Sequence, residues 1–179
     1  MKIHQIPRNI YSKPLVDSIM NLVVSKSVLV LDLRNNTGGA DGFTQYLSSY
    51  FLPKNTLLFT RVSNNGTQEF FTENVPSKKK HKEMPIYILV NRQTESAAEQ
   101  LSYLLQNHDR VTIIGEKTFG AVHGSIDVQL NYGMVGFVPV GFEKHIKTGR
   151  DWEGTGVIPD VLTASDNALK KAILLSNSK

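Results

Sequence analysis

The sequence predicts an α/β domain in which helices pack on a mostly parallel β-sheet. Three short, nearly continuous apolar runs carry this prediction, at residues 27–33, 86–90 and 111–115. Runs of this kind, without polar alternation, are typical of strands that are buried on both faces. Amphipathic helical patterns separate the runs, so strands and helices alternate along the chain, as in layered α/β folds.

Apolar periodicity predicts four helices, which begin near residues 14, 41, 97 and 166. The first helix should bury one apolar stripe and the last helix another. The residues of these two stripes are Leu15, Ile19, Leu22 and Val23, and Ala168, Leu169, Ala172 and Ile173. A short alternating piece at residues 3–6 is a candidate edge strand before the first helix.

Two β-hairpins are predicted outside the parallel sheet. Strands at residues 57–62 and 68–72 flank the turn signal Ser-Asn-Asn-Gly at residues 63–66. Residues 126–140 alternate in polarity, with a break at residues 131–133 that indicates a second turn. We find no internal repeat or linker, and we therefore expect residues 1–179 to form a single domain.

Composition excludes several kinds of site. The 179 residues include no cysteine, so disulfides and thiolate metal sites are excluded, and the histidines lack metal-ligand spacing. Much of the net charge of +4 lies in the run Lys-Lys-Lys-His-Lys at residues 78–82. This run lacks interleaved aromatic residues, so we expect a solvated loop and no nucleic-acid partner. No apolar run approaches the roughly 18 residues of a membrane span, and we find no signal-peptide pattern.

Residues 91–99 are the strongest functional candidate. They join the strand at residues 86–90 to the helix that begins at Ala97. A serine at such a corner exposes its hydroxyl beside the unpaired N–H groups of the first helical turn, so Ser96 is a candidate nucleophile for acyl transfer. Ser96 and Glu99 also match the S-x-x-E capping box, which starts helices for structural reasons. Both roles remain open on these residues alone.

Three loops follow the carboxyl ends of the predicted parallel strands, at residues 35–39, 91–96 and 116–124. Sites in open α/β sheets gather beyond these strand ends. If the three loops converge, one pocket contains Ser96, a glycine turn and His123.

Four motifs occur in order, at residues 31–39, 94–99, 115–120 and 153–160. Their sequences are LDLRNNTGG, TESAAE, GEKTFG and EGTGVIPD, and together they resemble those of the C-terminal processing (tail-specific) serine peptidases. The resemblance implies a fold similar to the ClpP and crotonase core. It also implies a peptide or protein substrate, no cofactor, no metal, and a location outside the cytoplasm or in the cell envelope.

The resemblance assigns roles to individual residues. Ser96 is expected to attack the scissile carbonyl, and the N–H groups of Ala97 and of the Gly38–Gly39 turn are expected to form the oxyanion hole. The general base departs from the family pattern, because the lysine that follows G-E-K-T-F-G is replaced by Ala121. An alanine side chain cannot accept a proton, so a Ser–Lys dyad is excluded.

This departure resembles a second branch, which groups the tricorn-protease core with interphotoreceptor retinoid-binding protein. Tricorn-type enzymes use a histidine from an upstream segment and a glutamate that matches Glu153. We expect this chain to lack both that upstream lobe and a PDZ-like module. His123 lies two residues after Ala121, and it is either the general base or a loop histidine that satisfies backbone groups.

Three functional hypotheses follow from these residues. The first is a serine endopeptidase core that forms an acyl-enzyme on Ser96. The second is a catalytically inactive domain that binds a peptide or an apolar ligand on the same fold, and Ala121 favours it. The third is a fragment of a larger peptidase. The sequence makes no prediction of oligomeric state.

Overall fold

The computed structural model describes residues 1–7, 13–76 and 84–177, and the basic run at residues 78–82 lies outside this part. The helices and strands in chain order are α1 (Lys13–Val23), β1 (Leu29–Asp32), α2 (Asp41–Ser48), β2 (Leu57–Ser63), β3 (Gly66–Phe71), β4 (Ile86–Val90), α3 (Ala97–Asn107), β5 (Thr112–Gly115), β6 (Ser125–Gln129), β7 (Val135–Pro139), β8 (Gly141–His145), β9 (Val161–Leu162) and α4 (Ala168–Ser176). Among the described residues, no helix is long and apolar enough to cross a membrane.

A parallel sheet in the order β1-β4-β5-β9 forms the centre of the fold. Leu31 pairs with Ile88, and Ile88 pairs with Ile113, so the three predicted strands lie side by side. The predicted α/β class with a mostly parallel sheet is therefore confirmed. The strand β9 was not predicted, because two residues are too few to produce a recognisable pattern.

Helices cover both faces of the parallel sheet. Ile86, Ile88 and Val90 of β4 belong to a large core that they share with α1, α2 and α3. Tyr87 and Leu89 of the same strand belong to a smaller cluster that α4 covers. All five residues are buried, which explains why β4 is an apolar run without alternation.

Two helices bury narrower or different stripes from those predicted. The stripe of α1 that faces the core consists of Val16, Met20 and Val23. The last helix α4 buries Ala168 and Ala172. The residues that were predicted to be buried and are exposed are Leu15, Leu22, Leu169 and Ile173. Both helices carry overlapping apolar stripes, so periodicity alone did not identify the stripe that faces the core.

The remaining strands form two antiparallel units. The strand β2 lies between β3 and β8, and β2 and β3 form the first predicted hairpin. The strands β6 and β7 form the second predicted hairpin. The strand β8 was not predicted, because its inward-facing residues Glu143 and His145 are polar and hide the alternation.

Candidate active site

Ser96 occupies the corner between β4 and α3, where its backbone has φ 55° and ψ −123°. Residues other than glycine rarely adopt a positive φ, and such strained positions cluster at active sites. The hydroxyl of Thr94 donates to the Leu33 carbonyl at 3.0 Å and accepts from the Asn91 N–H at 3.0 Å. The first bond joins the corner to Leu33, which directly follows β1, and the second closes the corner itself.

Glu99 is the buried group that holds this corner in place, and its side chain has no exposed area. Its carboxylate accepts the Ser96 N–H at 2.9 Å. It also accepts the Thr118 hydroxyl at 2.5 Å, the Gly120 N–H at 2.7 Å and the Ala121 N–H at 3.0 Å. Burial raises the pKa of Glu99, and these four hydrogen bonds oppose that rise. Glu99 therefore links the start of α3 to the loop that follows β5.

The turn at Gly38 packs directly against Ser96. A Cβ atom on Gly38 would lie 2.7 Å from the Ser96 Cβ and 2.8 Å from the Ala97 nitrogen, and Gly38 has a φ of +86°. Glycine alone meets both conditions without strain. The Gly38 N–H donates to Oδ1 of Asn36 at 2.9 Å, so it is not free to bind an oxyanion.

Two other N–H groups are free at this corner. The Gly38 carbonyl accepts the Ile6 N–H at 3.2 Å, and the next N–H in a trans peptide points the opposite way. The Gly39 N–H therefore points away from Ile6. Ala97 begins α3, so its N–H has no partner within the helix. In the part of the chain that the structure describes, neither N–H has an acceptor. Of the three predicted oxyanion donors, the Gly38 N–H is thus bonded to Asn36, and the N–H groups of Gly39 and Ala97 are candidate donors.

A cavity of about 700 Å³ opens in front of Ser96. Its walls include Gly39 from the loop after β1, Ser96 from the loop after β4, and Ala121 and His123 from the loop after β5. The predicted convergence of three loops at the carboxyl edge of the sheet is therefore confirmed.

His123 lines this cavity beside two carboxylates, and no hydrogen bond joins it to Ser96. The His123 Nε2 lies 3.4 Å from Oδ2 of Asp151, and its Nδ1 lies 3.8 Å from Oε2 of Glu153. Oε2 of Glu153 accepts the backbone N–H groups of Val122 at 2.8 Å and His123 at 3.3 Å. The structure thus brings His123 and Glu153 together. The contact with Asp151 was missed, because nothing in the local sequence sets Asp151 apart.

A charged network on the cavity wall was also missed. Nη2 of Arg61 donates to Oδ2 of Asp41 at 2.5 Å and to Oε1 of Glu143 at 2.6 Å. Nε2 of Gln100 donates to both carboxylate oxygens of Glu143, at 3.1 and 3.0 Å. Burial raises the pKa of Glu143, and its bonds to Gln100 and Arg61 oppose the rise. The four residues come from four separate elements, so no local pattern connects them.

The other histidines either do not line this cavity or lie outside the described residues. His4 is exposed, and His81 belongs to the part that the structure does not describe. His108 and His145 pack edge to face with ring centroids 5.6 Å apart. Burial lowers the pKa of His145 to about 4. Within residues 1–7, 13–76 and 84–177, no group of three or more potential ligand side chains could hold a metal ion.

Comparisons with known proteins place these features in a family. The model of Peptidase family S41 matches residues 8–163, which include all four motifs. The carboxyl-terminal-processing protease of Synechocystis sp. is 43% identical over 91 residues, which make up 51% of this chain and 20% of that protein. The aligned half of this chain therefore covers about a fifth of the length of that relative.

Solved structures show the same fold. A lipoprotein from Streptococcus agalactiae aligns with a TM-score of 0.72 and 25% identity, over 97% of this chain and 65% of that chain. The photosystem II D1 C-terminal processing protease aligns with a TM-score of 0.69 and 27% identity, over 92% of this chain and 42% of that chain. The match to the family model covers most of the sequence, and the chain belongs to peptidase family S41.

Proposed function

We propose that this chain is the core of a serine-type endopeptidase that hydrolyses peptide bonds through an acyl-enzyme on Ser96. The observation that carries the proposal is the corner at Ser96. A serine with a strained backbone opens into a large cavity, and the N–H groups of Gly39 and Ala97 beside it have no acceptor among the described residues. A nucleophile beside preorganised donors is the arrangement that acyl transfer requires.

The reaction follows from this arrangement. The Ser96 hydroxyl attacks the substrate carbonyl and loses its proton to a base, and the carbonyl oxygen becomes an oxyanion. The Gly39 and Ala97 N–H groups stabilise that oxyanion, and each such donor typically contributes about 3 kcal/mol to the stability of the transition state. The amine then leaves with the proton, and water repeats the attack on the acyl-enzyme to release the second product.

The proposed base is His123. Ala121 presents a methyl group, so the base cannot be a lysine at that position. His123 lines the same cavity as Ser96, and an imidazole is an effective proton acceptor near neutral pH. Catalytic hydrogen bonds are often long in the absence of substrate, so the missing bond to Ser96 is compatible with this role. Glu153 supports the base through the backbone of its loop.

A fluorophosphonate probe tests this proposal, because it labels activated serines. We expect the wild-type chain to be labelled and Ser96→Ala to remain unlabelled, as judged by intact-protein mass spectrometry. Ser125→Ala is the matched control, since Ser125 lines the same cavity without a proposed role, and it should be labelled like the wild type. An unlabelled wild-type chain, or equal labelling of Ser96→Ala, would contradict the proposal that Ser96 is the nucleophile.

A second candidate function is binding of a peptide without cleavage. The specific observation in its favour is that no hydrogen bond joins Ser96 to His123 in the described structure. In addition, Ala121 stands where the family pattern has the catalytic lysine. Under this alternative, a peptide binds the cavity with equal affinity to the wild type and Ser96→Ala. Mass spectrometry would then show the peptide intact after long incubation with either protein.

A further inference from the structure

Two carboxylates adjoin His123, and they have different partners. The backbone N–H groups of Val122 and His123 already occupy Oε2 of Glu153. The 3.8 Å between that oxygen and the His123 Nδ1 exceeds hydrogen-bond distance. Glu153 therefore holds the backbone of the loop and makes no hydrogen bond with the imidazole ring.

Asp151 divides its two oxygens between its own turn and the imidazole ring. Its Oδ1 accepts the Glu153 N–H two residues later at 3.1 Å, which closes an Asx turn. Its Oδ2 is thereby directed to the His123 Nε2 at 3.4 Å. The side chain of Asp151 is 19% exposed, so water competes little for this contact.

The backbone on both sides of Asp151 is anchored. The Arg150 carbonyl accepts the His145 N–H at 3.1 Å, which ties the segment to β8. Trp152 is 4% exposed and packs against Tyr103 with ring centroids 5.1 Å apart. Asp151 therefore lies between two contacts that do not involve the loop that carries His123.

We infer that Asp151 is the positioning residue for His123: it holds the proton on Nε2 and leaves Nδ1 as the basic nitrogen. A neutral imidazole carries one proton, and a carboxylate at Nε2 can only accept it. The inference names which ring nitrogen takes the Ser96 proton, and this part rests on the proposed function. The tautomer itself does not depend on catalysis.

Asp151→Asn provides a sharp test, because asparagine retains the Asx turn through its oxygen. Its amide NH₂ then faces Nε2 and donates to it, which favours the tautomer with the proton on Nδ1. Long-range proton–nitrogen NMR spectra, recorded at a pH at which the ring carries a single proton, distinguish the two tautomers. His123→Gln identifies the signals by their loss.

We expect Nε2 to carry the proton in the wild type and in Glu153→Gln, and Nδ1 to carry it in Asp151→Asn. A wild-type proton on Nδ1, or an unchanged tautomer in Asp151→Asn, would overturn the inference. Fluorophosphonate labelling of Asp151→Asn should slow on the order of 10²- to 10⁴-fold, the usual contribution of a general base. The exposed Asp127→Asn should label at the wild-type rate. The predicted tautomers without any wild-type labelling would contradict the proposed function and leave the inference about Asp151 intact.

Discussion

The two sides of the cavity are held by different kinds of interaction. On the Ser96 side, fully buried Glu99 makes four hydrogen bonds of 2.5 to 3.0 Å. On the His123 side, the ring contacts are 3.4 and 3.8 Å long, and the Glu153 side chain is 43% exposed. The proposed nucleophile is thus held by buried hydrogen bonds, whereas the proposed base lies beside partly solvated carboxylates. Disturbing the Ser96 side should therefore lower the free energy of unfolding more than disturbing the His123 side.

The largest expected effect comes from Glu99→Gln, with Glu153→Gln as its counterpart. In Glu99→Gln, the amide nitrogen of the introduced side chain would face two donors in a buried site, and each donor left without an acceptor costs about 1–3 kcal/mol. We expect the free energy of unfolding to fall by about 4 kcal/mol in Glu99→Gln and by less than about 1 kcal/mol in Glu153→Gln. Chemical denaturation measures both, and equal losses would contradict the comparison.

Acid should lower the free energy of unfolding through buried His145. This histidine lies next to the segment that carries Asp151 and Glu153. Its ring nitrogens have no partners among the described residues, and burial lowers its pKa from 6.5 to about 4. As the pH falls from 6.5 to 4, the unfolded chain binds a proton at His145 and the folded chain does not. Stability is therefore lost over this window, by up to about 3 kcal/mol.

His145→Leu should reduce that loss, because leucine does not titrate and His145 has no side-chain hydrogen bond to lose. Denaturation curves at a series of pH values measure the difference. We expect the variant to lose up to about 3 kcal/mol less than the wild type between pH 6.5 and 4. Parallel pH profiles for the two proteins would contradict a role for this histidine.

Gly38→Ala tests the packing of the glycine turn against Ser96. The new Cβ would lie 2.7 Å from the Ser96 Cβ, whereas the same change at Gly133, which has a φ of +73°, meets no atom within 4 Å. Both variants have the cost of a positive φ, and Gly38→Ala adds a steric clash. We expect Gly38→Ala to be about 2 kcal/mol less stable than Gly133→Ala and to lose probe labelling. Equal stability of the two variants would contradict the predicted clash and show that the Ser96 corner relaxes around the new methyl group.

Sequence patterns predicted those strands and turns that depend on neighbouring residues alone. The strands β1, β4 and β5 were identified because burial on both faces leaves an uninterrupted apolar run. Ser96 was singled out as a candidate nucleophile because a strand, a serine and a helix follow one another. The strand β8 escaped prediction because Glu143 and His145 face inward, where an apolar pattern was sought.

The long-range contacts of the site could not be predicted in this way. Glu99 was recognised as a capping residue, yet its bonds to the loop at residues 118–121 depend on how two loops meet. The same holds for Arg61 and Asp151, whose partners lie far along the chain. Gly38 was expected to be an oxyanion donor, and Asn36 occupies its N–H instead.

The peptide unit between Gly38 and Gly39 makes one candidate oxyanion donor depend on the N-terminal segment. Its orientation is fixed from outside the cavity, because Ile6 and the side chain of Gln5 both donate to the Gly38 carbonyl. If residues 1–7 were lifted from this edge, the peptide plane could turn over and withdraw the Gly39 N–H from the cavity. Ser96 would stay in place without that donor. Such a change would act through the position of residues 1–7 and would leave every side chain of the proposed catalytic machinery unchanged.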